Sequence, residues 1–199
     1  MSMDKPFRVE VTVDAPRDAV WRALTEPEQV RHWFGWEYDG LEAEIKLIFE
    51  DHATLRPPDR IEMPEDGLIE LVEAGEDRTL IRVTKPGDLD ALEWKDVYGD
   101  IEEGWITFLN QLRHRLAFAP DGARRTITRS GKARMVELPG TEWHASRYQR
   151  GFADGAELAV LGVKPSGDGM LIVTLYDPSE EQYAAAETRA DALWAQAST

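Results

Sequence analysis

The sequence predicts an α+β fold, in which an antiparallel sheet over residues 1–120 wraps around a long late helix and residues 121–199 add a small α+β extension. Three observations predict it. Val11 to Phe34 reads VTVDAPRDAVWRALTEPEQVRHWF, a strand, an Asp-Ala-Pro turn and two short helices. GWITFLNQLRHRLAF, opening at Gly104, sets Trp105, Phe108, Leu109, Leu112 and Leu116 at helical spacing. The stretch between these segments reads mostly as strands, and that order implies room for an apolar molecule between sheet and helix.

Phe7, Val9, Val11 and Val13 alternate with Arg8, Glu10 and Thr12, the period of a half-buried strand. Asp14 is placed to cap the next helix, Pro16 suits its first turn, and Val20, Trp21 and Leu24 share one face. Thr25 is the expected cap of a second short helix entered through Pro27, with Val30, Trp33 and Phe34 inward and Gly35 as its stop. Leu41, Ala43, Ile45, Leu47 and Phe49 alternate with Glu42, Glu44 and Lys46 and predict a strand. Pro57, Pro58 and Pro64 leave room for at most a short edge strand over 52–65, and an exposed edge there would permit a homodimer. Residues 68–74 and 79–84 predict a hairpin through Gly75-Glu76-Asp77. A loop over 86–99, carrying Trp94 and Tyr98, then leads to helix 103–118.

Ala119-Pro120-Asp121-Gly122 marks the expected boundary. Beyond it, strands over 124–128 and 133–138 flank Ser130-Gly131, and strands over 156–163 and 170–176 flank Pro165-Ser166-Gly167-Asp168-Gly169. A final helix, capped by Asp177 or Ser179, turns Tyr183, Ala186, Ala190, Leu193 and Trp194 inward. VTLYDPSEEQY repeats the strand, Asp, Pro, helix order of VTVDAPRDAVW, which reads as shared capping chemistry rather than duplication.

With 199 residues, 42% hydrophobic content and seven tryptophans, the chain can bury a real core. Its formal charge of -15 argues strongly against nucleic acid and an anionic membrane surface as partners, since both require a basic face. Residues 1–120 hold 14 Lys and Arg against 27 Asp and Glu, whereas 121–199 hold 9 against 11. The absence of cysteine excludes disulfides, thiolate zinc sites and cysteine nucleophiles. A charged, strand-like N-terminus and the lack of any membrane-spanning apolar run predict a cytoplasmic protein.

No cofactor is expected. The glycine-rich stretch 162–169 lacks the Lys-Ser/Thr pair of a phosphate loop and opens no helix. His32, His52, His114 and His144 have no metal-ligand spacing, and His32 and His114 read as solvated helix residues. Asp96, Asp100, Glu102 and Glu103 precede the long helix and complement its dipole. His144, Arg147 and Arg150 crowd into TEWHASRYQRGF, where forked guanidinium donors could hold an anion, although a surface loop explains them equally well. The basic run RRTITRSGKAR at 124–134 could lie across the acidic face of residues 1–120.

The W-x-A-L-T-x-P-x-x-V-x-x-W-F pattern from Trp21, followed by G-W-x-x-F-L-x-x-L from Gly104, resembles the START/Bet v 1-like superfamily. The similarity is to the branch of the C-terminal domain of the activator of the Hsp90 ATPase, and it covers residues 1 to about 118. The resemblance implies a helix-grip fold with a cavity between sheet and long helix, in which members bind lipids, sterols, polyketides or other apolar molecules. Residues 50–67 are proline-rich where the family shows a glycine-led strand pair, so a strand is expected to be missing or distorted there. The last eighty residues match no part of the family pattern.

Trp33, Phe34, Trp36, Trp94, Tyr98, Trp105, Phe108, Leu109 and Leu112 are the candidate ligand-binding residues. Ordinary core packing accounts for any one of them; aromatics in a Gly/Asp-rich loop point to a cavity mouth. Three functional readings follow: binding of an apolar small molecule, a co-chaperone-like module with a chaperone partner, or a cyclase or hydrolase using the same cavity.

Overall fold

The structure, a computed structural model, describes residues 7–64, 66–85, 94–119 and 121–199, with side chains except at 7 and over 94–100. The chain forms two compact units, Met1–Gly35 with Asp39–Ala117, and Trp36–Tyr38 with Phe118–Thr199.

The first unit runs β1 (Phe7–Val13), α1 (Arg17–Thr25), α2 (Pro27–Val30) and α3 (Leu41–Ile45), the last continuing as a π-helical turn over Lys46–Asp51. There follow β2 (Thr54–Arg56), β3 (Arg60–Met63), β4 (Gly67–Gly75), β5 (Arg78–Lys85) and α4 (Trp94–Phe118). The five strands form one antiparallel sheet in the order β1-β5-β4-β3-β2. Alternation sorts its faces. Val9, Val83, Ile69 and Ile61 stand directly opposite one another across four strands, and Val11, Ile81 and Leu71 form a second row. Both rows share one core with the fully buried Leu109 and Leu112 of α4. Sheet and long helix therefore close on each other in the expected helix-grip arrangement.

The other sheet face carries a complementary row, Glu10, Arg82, Glu70 and Arg60, again directly opposed strand by strand. Arg82 Nε lies 2.7 Å from Glu10 and Arg82 Nη1 3.7 Å from Glu70, while Arg60 lies 3.3 Å from Glu70. A one-residue slip would turn this row into the core, so the charges help set register. Hydrogen bonds from Arg8 and then Arg82 hold the Glu10 carboxyl below its ordinary range. That stabilisation is present above the unfolded carboxylate range and is lost as pH falls through the lowered folded value. Arg82→Glu, which sets three acids in line, is expected to lower the urea midpoint, with partial recovery in high salt. Equal sensitivity of wild type and variant to salt would contradict this.

Several expectations about the elements fail in the first unit. Residues 41–51 are helical, not a strand, because Leu41, Ile45 and Phe49 are also spaced four apart and it is these three that are buried, with Ala43 and Leu47 exposed. The proline-rich stretch holds two short strands rather than at most one, with Pro57 and Pro58 in the turn, where no ladder N–H is needed. Helix α4 begins at Trp94, so Trp94 and Tyr98 lie on helical backbone and not in a loop, their side chains being outside the described residues, and Gly104, Glu102 and Glu103 are inside the helix. Asp14 and Thr25 do not cap: Asp14 pairs with Arg78 at 3.0 Å, and the Thr25 hydroxyl donates to the Trp21 carbonyl at 2.8 Å.

The second unit comprises β6 (Arg124–Lys132), β7 (Thr141–Ala145), β8 (Gln149–Asp154), β9 (Glu157–Val163), β10 (Asp168–Tyr176) and α5 (Glu180–Ala197). Its antiparallel order, β6-β10-β9-β8-β7, repeats that of the first unit: the first strand pairs with the last, then the chain meanders outward, and a long helix follows the last strand. The VTLYDPSEEQY echo does not report this repeat. It matches β10–α5 with β1–α1, whereas the equivalent junctions are β10–α5 and β5–α4.

Ser130-Gly131 is no turn, since β6 continues through it opposite Met170 and Gly169, and residues 134–140 form no strand. TEWHASRYQRGF is the β7–β8 hairpin, not a loop. Ser179, rather than Asp177, caps α5, in a reciprocal capping box with Gln182. Ala186 and Ala190 are buried with Ile127, Leu161 and Val173. The Tyr183 hydroxyl donates to the Thr126 carbonyl at 3.1 Å, and burial is the main reason its pKa is raised. Three members of the basic run have partners inside the second unit: Arg125 stacks on the Tyr183 ring and reaches Glu180 at 2.8 Å, Arg129 reaches Asp191 at 2.7 Å, and Lys132 reaches Asp168 at 2.7 Å. Among the described residues, no helix is long and apolar enough to cross a membrane.

Candidate functional site

Five aromatic side chains of the first unit form a continuous cluster. Trp33 is fully buried, and its indole N–H donates to the Ala23 carbonyl at 2.8 Å, fixing the ring against α1. Phe34 and Phe49 meet Trp33 edge-on, both at 5.9 Å between centroids, and Phe34 meets Phe49 at 5.1 Å. From α4, Phe108 packs on Phe34 at 4.7 Å and Trp105 lies 6.3 Å from Phe34 and 6.2 Å from Phe108. Such tilted and edge-to-face pairs each add about 0.5–1.5 kcal/mol beyond area burial.

Local sequence explains the placement. After α2 the chain turns through residues 31–35, and Gly35 takes φ +58, a conformation that other residues rarely adopt. The side-chain amide of Gln111, fully buried on α4, donates to the carbonyls of Trp33 at 2.9 Å and Gly35 at 3.1 Å. This pair of bonds pins the Trp33-Phe34 turn to the long helix. One turn further on, Arg115 donates to the Gln29 side chain at 2.9 Å.

Burial along α4 is graded. Leu109 and Leu112 are fully buried, whereas Ile101, Trp105, Ile106 and Phe108 are only half-buried while still packing on the core. The candidate residues therefore divide. Trp33, Phe34, Leu109 and Leu112 form the back of the wall, and Trp105 and Phe108 form its accessible part. Phe49 joins the wall unpredicted; its strand-like reading hid the helical spacing that aims it there. Trp36 groups with the second unit, where its ring lies 6.4 Å from Tyr38. The Trp94 and Tyr98 side chains lie outside the described residues.

The wall as described carries no acid or base. His114, expected to be solvated, is completely buried, but at 100° per residue it points away from Trp105, Phe108 and Leu112. Thr107 and Asn110 share that opposite face and are also buried. Burial pushes the Arg113 guanidinium below its ordinary value, an effect opposed by the charge of Asp14.

The candidate anion residues of the second unit each have partners within the β7–β8 hairpin. His144 bonds Gln149 at 3.0 Å, Arg147 stacks on Tyr148 at 4.9 Å, and Arg150 donates to the carbonyls of Ser146 at 2.7 Å and Gln149 at 3.0 Å. These contacts stay within the hairpin, and none joins two members of the trio. Among the described residues, no group of three or more His, Asp or Glu could hold a metal ion.

No family model matches the chain, and no curated protein matches it. Three solved structures are similar to it. DynU16, a protein of the dynemicin biosynthetic locus, is 18% identical with a TM-score of 0.41 and 96% coverage of both chains. BexL, a di-domain ARO/CYC from the BE-7585A biosynthetic pathway, is 11% identical with a TM-score of 0.45, covering 87% of this chain and 85% of that one. EF2215 from Enterococcus faecalis, a conserved protein of unknown function, is 19% identical with a TM-score of 0.35, covering 59% of this chain and 74% of that one.

Proposed function

We propose that the first unit binds a small apolar molecule, of lipid, sterol or polyketide type, against the aromatic wall of α4. The observation that carries this reading is the graded burial of the wall, where Trp105 and Phe108 keep accessible surface on an otherwise sealed aromatic cluster. A fully filled core gains about 2–3 kcal/mol by covering each such side chain, so leaving two of them half-covered favours a surface that a ligand completes. Binding is favoured over catalysis because the wall's described side chains offer no group to move a proton, and His114 lies on the far side of the helix.

Native mass spectrometry and thermal shift with palmitate, cholesterol and a tricyclic aromatic polyketide test this proposal. At least one is expected to bind with 1:1 stoichiometry and raise the melting temperature, and Trp105→Ala is expected to weaken that binding at least about fivefold while the protein stays folded. Failure of all three classes to bind, or unchanged binding by Trp105→Ala, would overturn it.

A further inference from the structure

A concave surface of the first unit shares no residue with the aromatic wall. It is a half-open pocket of about 520 Å³ where the β1–α1 junction, the β2–β3 turn and the β4–β5 turn meet. Its apolar lining is the half-buried indole of Trp21 with Pro16, Pro57 and Pro58. Its rim is charged, and the charges are unequal. Arg17 lies 3.2 Å from Glu73 and Arg78 lies 3.0 Å from Asp14, so each guanidinium has a carboxylate partner. Asp18 and Glu76, also on the rim, form no ion pair among the described residues. The surrounding chain adds long-range negative potential, since residues 1–120 carry 27 acids against 14 bases.

We propose that this pocket binds an organic cation with a compact apolar body, of aryl- or alkyl-ammonium type. Each part of such a ligand has a counterpart. Trp21 lines the pocket, and an indole ring is the side chain that most strongly attracts a positive charge through its quadrupole. The proline rings offer C–H surface to the apolar body without donors that would compete for solvent. Asp18 and Glu76 supply the counter-charge. An anion of the same size meets two bare carboxylates and two arginines already engaged; its one advantage is the N-terminus of α1, where Pro16 provides no side-chain cap. Asp18, in the first turn, already occupies that advantage.

The test uses the full chain labelled with 5-fluorotryptophan, in which Trp21→Phe assigns the Trp21 fluorine resonance. Benzyltrimethylammonium is expected to shift that resonance saturably in the millimolar range, about tenfold more tightly than benzoate. D18N/E76Q, which alters only exposed side chains, is expected to weaken the cation at least about fivefold. A non-saturating shift at Trp21, an equal response to benzoate, or full affinity in D18N/E76Q would overturn the proposal. The Trp105 resonance reports the aromatic wall separately, so failure of one site leaves the other readable.

Discussion

Trp33→Ala is expected to destabilise the first unit by about 3–5 kcal/mol, the range for removing a fully buried large aromatic. Three losses coincide there. The ring has no exposed surface, it is the edge-on partner of both Phe34 and Phe49, and its N–H is the donor to the Ala23 carbonyl. The vacated space cannot collapse freely, because Gln111 holds the Trp33 and Gly35 carbonyls to α4 regardless of the side chain. Against a typical domain stability of about 5–15 kcal/mol, the change is a large fraction of the whole. Hydrogen-exchange protection of the β4 and β5 amides measures it within the first unit alone. Protection within about 1 kcal/mol of wild type would contradict the account, whereas Trp33→Phe should fall between the two. Trp105→Ala, at a half-buried position, is expected to cost less, which keeps it usable as a binding variant.

Much of this unit was legible in the sequence because two signals agreed wherever the reading held. In β1, β4 and β5 the alternation of apolar residues coincides with β-branched composition, and in α4 the apolar spacing coincides with good helix formers. The signals conflicted at LEAEIKLIFE. There the alternation is real, but Leu, Glu, Ala and Lys favour helix, and burial of Leu41, Ile45 and Phe49 alone satisfies the core. That conflict concealed Phe49 as a member of the aromatic wall. His114 reads as solvated for a different reason. A polar stripe on a helix usually faces water, and a sequence does not reveal that Thr107, Asn110 and His114 are covered. The repeated strand order of the second unit was equally hidden, since strand pairing order is a property of tertiary contacts and these two meanders share no motif.

Gly151→Ala is expected to destabilise the second unit by about 1–3 kcal/mol, through crowding rather than backbone conformation. Gly151 stands opposite His144 across the β7–β8 ladder, beside an irregularity at Trp143 that breaks the register. The imidazole lies so close over the glycine that an added Cβ would fall inside its Cε1 and Nδ1 atoms. The ring must therefore rotate away, and doing so gives up its 3.0 Å contact with Gln149, whose side chain is buried at 2% exposure. Gly151 has no positive φ, so once the ring is gone an alanine fits the strand. The two positions should thus be strongly coupled. His144→Ala alone should cost about 1 kcal/mol through the lost Gln149 contact, and adding Gly151→Ala to it should cost little more. Urea midpoints for the two single variants and the double variant close this cycle. If the two costs simply add, His144 is not what the missing side chain at residue 151 makes room for.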